Sequence, residues 1–180
     1  MPASVLFVLA HPDLTISRAN RAIAATARGI EGIDVLDLYD EYPDLFVDGG
    51  AERRRIEAVS AIVFQMPFFW YSGPSLLKEW MDRTFTSRWA YGQGGHRAQG
   101  KSLTVSITTG SDSGAWAPTG IHGAPAEDYL KPYHQFARFC GMHWHDPFVL
   151  HASRTVSDES LAHHIGRLRE HLEALAAKAE

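Results

Sequence analysis

The sequence predicts an α/β domain built on a doubly wound, five-stranded parallel sheet with helices on both faces. Three observations predict it. Short continuous apolar runs recur along the chain, each closed by proline, glycine or a polar loop. Segments with helical periodicity lie between them, which is the alternation a parallel sheet requires. The 180 residues, 45% hydrophobic and 21% charged, suffice for one core, so a single domain over 1–180 is expected.

Taken in order, Val5–Ala10 is the first apolar run, ended by His11-Pro12. A helical segment follows from Ser17, with Ile23, Ala24 and Ala27 on one face. Asp34–Leu38 supplies a shorter strand. Ala61–Met66, ended by Pro67, reads as a strand buried on both faces. Pro74–Phe85 places Leu77, Trp80, Met81, Thr84 and Phe85 on one helical face. Leu103–Thr108 is the next strand, ended at Thr109-Gly110. A helix starting near Pro132 carries Phe136, Ala137 and Cys140 and stops at Gly141, since proline suits a first turn and glycine a stop. Phe148–Leu150, with the residues before it, is the fifth strand. In Ser157–Lys178, Leu161, Ile165, Leu168, Leu172 and Leu175 recur at spacings of three and four behind a candidate N-cap, Ser157, so this helix should cover one sheet face.

The formal net charge of −4 leaves no basic surplus for a phosphate backbone, which argues against a nucleic-acid partner. One cysteine, Cys140, cannot form an internal disulfide, and Ser4–Ala10 is too short and lacks the positive flank of a secretory signal; both point to the cytoplasm. No apolar stretch approaches the ~20 residues that span a bilayer.

In an open parallel sheet, ligands bind beyond the carboxyl ends of the strands, so three loops carry the functional signal. In the first, His11 to Asn20, hydroxyl, guanidinium and amide groups gather where a helix N-terminus attracts an anion. The alternative is that Ser17 only caps the helix and that His11 and Asn20 are solvated. The second, Pro67-Phe68-Phe69-Trp70-Tyr71-Ser72-Gly73-Pro74, sets four aromatics at a strand end, where a flat ligand would explain them; core packing or a dimer contact is the alternative. The third, Thr108-Thr109-Gly110-Ser111-Asp112-Ser113-Gly114, is small enough for close backbone approach, and its N–H groups suit developing negative charge; the alternative is an ordinary turn.

Three features are set aside. Gly95 to Ser102 fits the letters of a nucleotide-binding P-loop, but a strand follows it instead of preceding it. His143 and His145 alternate across Trp144 with no carboxylate or cysteine at ligand spacing, so no metal is expected. Cys140, beside Phe136, Ala137 and Phe139, reads as a small buried hydrophobe.

Together, Ala10-His11-Pro12 with Ser17 and Asn20, Leu38-Tyr39 with Tyr42-Pro43-Asp44, the run from Trp70 to Trp80, Trp89-Ala90-Tyr91-Gly92, Thr108-Thr109-Gly110, Gly120-Ile121-His122-Gly123 and Cys140-Gly141 resemble the NAD(P)H:quinone oxidoreductase family of flavodoxin-like enzymes. The likeness runs nearly end to end. It is nearest the short bacterial branch that includes ancillary proteins of glutathione-gated potassium-efflux systems. The resemblance implies FMN, with FAD as the alternative. His11, Ser17, Arg18, Ala19 and Asn20 would surround its phosphate; Pro67, Phe68, Phe69, Trp70 and Tyr71 would lie beside the ring; Thr108, Thr109, Gly110 and Ser111 would meet its polar edge. It further implies a homodimer, NAD(P)H as hydride donor, a quinone acceptor, and either a quinone reductase or a flavin-binding regulatory partner of a membrane transporter. In the family a tyrosine six positions before the histidine of Gly-Ile-His-Gly helps that histidine stabilise charge on the reduced flavin. Here His122 is kept as the catalytic candidate, but the earlier position is Trp116, and Ser111 stands where many relatives have a second glycine.

Overall fold

A computed structural model describes residues 4–178. The strands are β1 (Val5–Leu9), β2 (Ile33–Asp37), β3 (Ala61–Pro67), β4 (Ser102–Thr108), β5 (His143–Trp144) and β6 (Phe148–Leu150). The helices are α1 (Arg18–Arg28), α2 (Leu38–Glu41), α3 (Gly49–Glu57), α4 (Ser75–Thr84), α5 (Lys131–Phe139) and α6 (Asp158–Ala177). All strand pairs are parallel, in the order β2-β1-β3-β4, and β5 and β6 pair in succession along the outer edge of β4. The fifth strand position is therefore occupied in two pieces. His145-Asp146-Pro147 interrupts it, consistent with proline's lack of an N–H to give the ladder.

The second strand ends one residue before the sequence places it. Asp37 accepts a hydrogen bond from the Tyr39 N–H at 3.3 Å, and this cap turns the chain into α2 at Leu38. Ser17 caps α1 and Ser157 caps α6 through their side chains, as the residue types suggest. Along α6 the inward stripe includes His164, which is buried, whereas Ile165 is only partly covered. Cys140 is the buried residue just past α5, and Gly141 takes the left-handed φ of 69° that ends the helix, although Phe139 is exposed.

Strand alternation sends the chain into two cores. Leu6, Val8, Ile62, Phe64, Leu103, Val105 and Ile107 face one side with Leu77 and Trp80 of α4. Val5, Phe7, Leu9, Ala61 and Val63 face the other, against Ile23 of α1 and Leu168 and Leu172 of α6. α3 carries no apolar stripe. It is held by Ile56, its one fully buried apolar side chain, and by buried Glu52, which accepts hydrogen bonds from Tyr42 Oη (2.6 Å) and Trp80 Nε1 (2.9 Å) and meets Arg55 at 3.3 Å. Burial and this carboxylate push the Tyr42 phenol pKa well up.

Candidate functional site

The loops beyond β1, β3, β4 and β6 converge on two adjoining cavities that share Phe68 and Gly110. The larger, about 520 Å³, is a groove over the start of α1. Its wall is built locally: His11 Nδ1 accepts from the Asp13 N–H (3.1 Å), Asp13 accepts from the Thr15 N–H (2.9 Å), and Ser17 Oγ accepts from the Asn20 N–H (3.3 Å). Because Nδ1 is an acceptor, neutral His11 carries its proton on Nε2. Burial lowers its pKa and favours that neutral form.

Asn20 anchors the floor. Its amide nitrogen donates to Ser17 Oγ (3.0 Å) and Thr108 Oγ1 (2.9 Å), while its oxygen accepts from Gln65 Nε2 (2.8 Å). Three segments distant in sequence are thereby tied at one residue. The first-turn N–H groups of α1 have no intrahelical acceptor, so the groove is electropositive at the helix end. An anion is the complement it lacks.

Of the residues assigned to the anion end, His11, Ser17, Arg18 and Asn20 line the groove, with Pro67, Phe68, Phe69 and Thr108. Ala19 does not: its side chain is buried with Leu150 and Leu161 because it sits on the inward face of α1. Arg18 is engaged with the Asp158 carboxylate and the Val156 carbonyl. Arg154, from the loop after β6, also lines the groove and is exposed; the sequence reading missed it along with Ile16 and Ser153. Extending the strand-end rule to the fifth strand would have found Ser153 and Arg154.

The smaller cavity, about 170 Å³, is lined by Phe68, Trp70, Tyr71, Thr109, Gly110, Ser111, Trp116 and His122. Trp70 and Tyr71 are the central pair of a tight turn closed by Phe69 N–H to Ser72 O (2.8 Å) and Ser72 N–H to Phe69 O (3.0 Å). Both have positive φ, 49° and 65°, which costs each of them roughly 1–2 kcal/mol. Gly73 follows where a Cβ would meet Met66 Sδ at 2.6 Å and Tyr133 Oη at 2.9 Å, so any larger residue would push those buried side chains aside.

His122 is the centre of this cavity. Its Nδ1 lies 3.2 Å from Tyr71 Oη and its Nε2 3.1 Å from Ser111 Oγ. Its ring stacks on Trp116 at 3.8 Å and 21° between planes, and its carbonyl accepts from Tyr129 Oη. Trp116 is buried, and its indole N–H has no partner among the described residues. The β4 loop is fixed from behind by Thr109 N–H to Leu150 O, Ser153 N–H to Thr109 O and Ala152 N–H to Ser111 O. A Cβ placed on Gly110 would meet nothing within 4 Å, so open space remains in front of that backbone.

The joined cavities suit an elongated ligand with an anion at one end and a flat, polar-edged ring at the other. FMN has that form, and the open face at Gly110 and the orphaned Trp116 N–H fit its ring end. Lys101, from the P-loop-like letters, lies just before β4 at the opposite, amino-terminal end of the strands, where its amine meets the Val59 carbonyl. His145 hydrogen-bonds Ser102 Oγ (3.1 Å) and packs by His171, while His143 is exposed.

The family model of the flavodoxin-like fold matches residues 3–172. The glutathione-regulated potassium-efflux system ancillary protein KefG of Yersinia enterocolitica is 39% identical over 163 residues, 91% of this chain and 89% of that one. A solved structure described as a thermophilic tryptophan halogenase from Streptomycin violaceusniger is 34% identical, with a TM-score of 0.88 over 93% of this chain and 97% of that one. The structure of general stress protein 14 from Treponema denticola in complex with FMN is 28% identical, with a TM-score of 0.88 over 96% and 99%. The two solved structures share the architecture of this chain.

Proposed function

This chain belongs to the flavodoxin-like fold family, and from that premise we propose that it is a single-domain FMN-dependent oxidoreductase that passes hydride from NAD(P)H to a quinone-type acceptor. The observation that carries the reading is the continuity of the α1 groove with the aromatic cavity at Phe68 and Gly110. An FMN complex of a relative with the same fold supports the cofactor. The likeness of His122 and the three loops to quinone oxidoreductases supports the acceptor.

In this reading the first-turn N–H groups of α1, with Ser17 and Arg154, would hold the phosphate, and His11 would offer its Nε2 proton to the groove. Bound FMN supplies the chemistry of accepting and releasing hydride. Phe68, Trp70 and Tyr71 present ring faces that orient a stacked substrate, which removes much of the entropic part of the barrier. The backbone N–H groups of Gly110 and Ser111 would be the donors at the polar edge, where negative charge develops, while Thr109 is committed to Leu150 and Ser111 and holds the loop in place.

A second reading is favoured by the 39% identity to KefG: a flavin-binding ancillary subunit of a potassium-efflux transporter. Among the described residues no helix is long and apolar enough to cross a membrane; in this second reading the subunit would bind its partner from the cytoplasm. Exposed Ile16, Trp70 and Ile121 around the site give either this partner or a second copy of the chain an apolar surface to cover.

The test is an absorption spectrum after reconstitution with FMN and, separately, FAD, followed by anaerobic NADH or NADPH and then a small quinone. Flavin bands that bleach with reduced nicotinamide and recover with quinone are expected. Bands that neither reductant bleaches favour the ancillary subunit, and absence of binding by either flavin defeats both readings.

A further inference from the structure

Two departures from the resembling family meet at His122. Tryptophan at 116 removes a phenol, and serine at 111 adds a hydroxyl where glycine is common. The structure joins His122 to both a different phenol and that hydroxyl: Tyr71 Oη is 3.2 Å from Nδ1 and Ser111 Oγ is 3.1 Å from Nε2. The imidazole cannot easily turn away. Trp116 stacks on its face, Tyr129 holds its carbonyl, and its N–H donates to the Ala115 carbonyl at 3.0 Å.

We propose that Ser111 is the catalytic proton donor of this site, recharged by His122, with Tyr71 as the positioning residue that fixes the imidazole tautomer. The inference rests on the oxidoreductase reading above and names the source of the proton that reading requires. Reduction of a quinone to a hydroquinone consumes one hydride, which carries both electrons, and one proton. The hydride originates in the reduced nicotinamide. The proton leaves the imidazolium Nε2 for Ser111 Oγ while the Ser111 O–H proton passes to the acceptor oxygen. One N–H and one O–H bond break, and two O–H bonds form. His122 ends neutral with Nδ1–H donated to Tyr71 Oη, and solvent returns its proton.

The roles follow from what each atom has left to do. A neutral imidazole has one donor and one acceptor nitrogen. Either tautomer fits the two contacts; with the neutral proton on Nδ1, toward Tyr71 Oη, Nε2 is the nitrogen that exchanges, and it faces Ser111. In the imidazolium the Ser111 hydroxyl would accept from Nε2–H, 3.1 Å away, and keep its own hydrogen for the cavity it lines. The Ser111 carbonyl is engaged separately, by Thr109 Oγ1 (2.8 Å) and the Ala152 N–H (2.8 Å), so the backbone carrying the hydroxyl is held still. Tyr71 pays for its position with a left-handed backbone, the kind of strain that persists where surrounding structure enforces it.

The experiment compares wild type, Ser111→Ala, Ser111→Thr and Tyr71→Phe, all loaded with FMN. FMN affinity is read by fluorescence quenching, the two half-reactions by stopped flow in H₂O and D₂O, and the His122 tautomer by ¹⁵N NMR of the FMN-free protein. Ser111→Ala should slow reoxidation by a small quinone about tenfold or more, the lower end of what a positioned proton donor contributes. It should also change the solvent isotope effect on reoxidation, with FMN affinity measured alongside to separate a loss of proton transfer from a loss of binding. Ser111→Thr should restore the rate and the isotope effect. Tyr71→Phe should erase the Nδ1–H preference in the NMR spectrum and lower reoxidation by an intermediate factor. Reoxidation of Ser111→Ala at the wild-type rate overturns the proposal while leaving the oxidoreductase reading intact. Loss of FMN binding in that variant overturns it too, making Ser111 a binding residue. Failure of wild type to bind FMN or to turn over sinks the parent reading and this one together.

Discussion

The two faces of the sheet use the same strands for different chemistry. Toward α4 and α5, β3 and β4 present Ile62, Phe64, Met66, Leu103, Val105 and Ile107, and Phe64 meets Trp80 and Tyr133 edge-on. Toward α1 and α6 the alternate positions of the same strands include Gln65, Thr104, Ser106 and Thr108, all buried. The aromatic cavity continues the first face, since Phe68 and Trp116 pack on its core. The anion groove continues the second, through Asn20, Gln65 and Thr108. A ligand polar at one end and flat at the other is thus matched by an alternation of period two in the strands beneath it. The polar face also bears a cost. Gln65 Oε1, Ser106 Oγ and His164 Nε2 are buried without partners, whereas the described orphans on the aromatic side are Thr84 Oγ1 and Trp116 Nε1.

If the polar face depends on Asn20 as its organiser, Asn20→Ala should be the most damaging change. It removes three side-chain bonds and leaves Gln65 Nε2 buried without its acceptor. Each newly unmet buried group costs roughly 1–3 kcal/mol. A loss of about 3 kcal/mol is expected in urea unfolding of the FMN-free protein, where any ligand effect is absent. A loss below about 1 kcal/mol would mean that water substitutes there and that the two faces are less distinct than the hydrogen bonds indicate.

Acid should expose the same asymmetry. Burial lowers the His164 pKa to about 4 from 6.5, so between those values the unfolded chain binds a proton that the folded one refuses. Its contribution is therefore complete above pH 6.5 and declines as pH falls toward 4. At roughly 1.4 kcal/mol per pH unit per proton, His164 alone removes about 2 kcal/mol between pH 6.5 and 5. His11, His145, His151 and His171 are lowered by burial in the same direction. His164→Leu should flatten this part of the stability profile, measured as urea midpoints at pH 7 and pH 5. An unchanged slope would place the acid sensitivity in the other four.

The sequence made legible what is local or periodic. Ser17 and Ser157 are short-range caps, and the apolar runs are strands because a strand buried on both faces has no polar positions to offer. α3 was not legible: its Gly-Gly-Ala-Glu-Arg-Arg-Arg-Ile-Glu run looks solvated, and Glu52 is buried only because Tyr42 and Trp80 arrive from elsewhere to satisfy it. The site divides likewise. The anion end of the groove, His11, Ser17, Arg18 and Asn20, could be read from one loop, but the placing of Tyr71 and Ser111 on the two nitrogens of the His122 imidazole could not, since loops that follow different strands supply Tyr71 and His122. Ala19 was assigned by its place in a motif, and its buried side chain shows that a motif position and a side-chain contact are separate claims.

The smallest predicted effect tests whether strain belongs to the aromatic side of this comparison. Trp70 is 93% exposed and has a φ of 49°, so the folded protein gains little from its side chain and bears the left-handed penalty. In Trp70→Gly that penalty of roughly 1–2 kcal/mol disappears. Glycine's extra freedom in the unfolded chain takes back about 0.5–1 kcal/mol. A net gain of about 0.5 kcal/mol in the FMN-free protein is expected, readable as a rise in Tm. Riboflavin shares the ring of FMN and lacks the phosphate, so its affinity reports on this cavity without the groove. If the indole is held in its strained place to cover a ligand ring, the more stable variant should bind riboflavin several-fold more weakly, a deficit of under about 1.4 kcal/mol. Gain of stability with unchanged riboflavin affinity would assign the exposed tryptophan to a surface contact instead, and the strain would then serve whatever partner covers that turn.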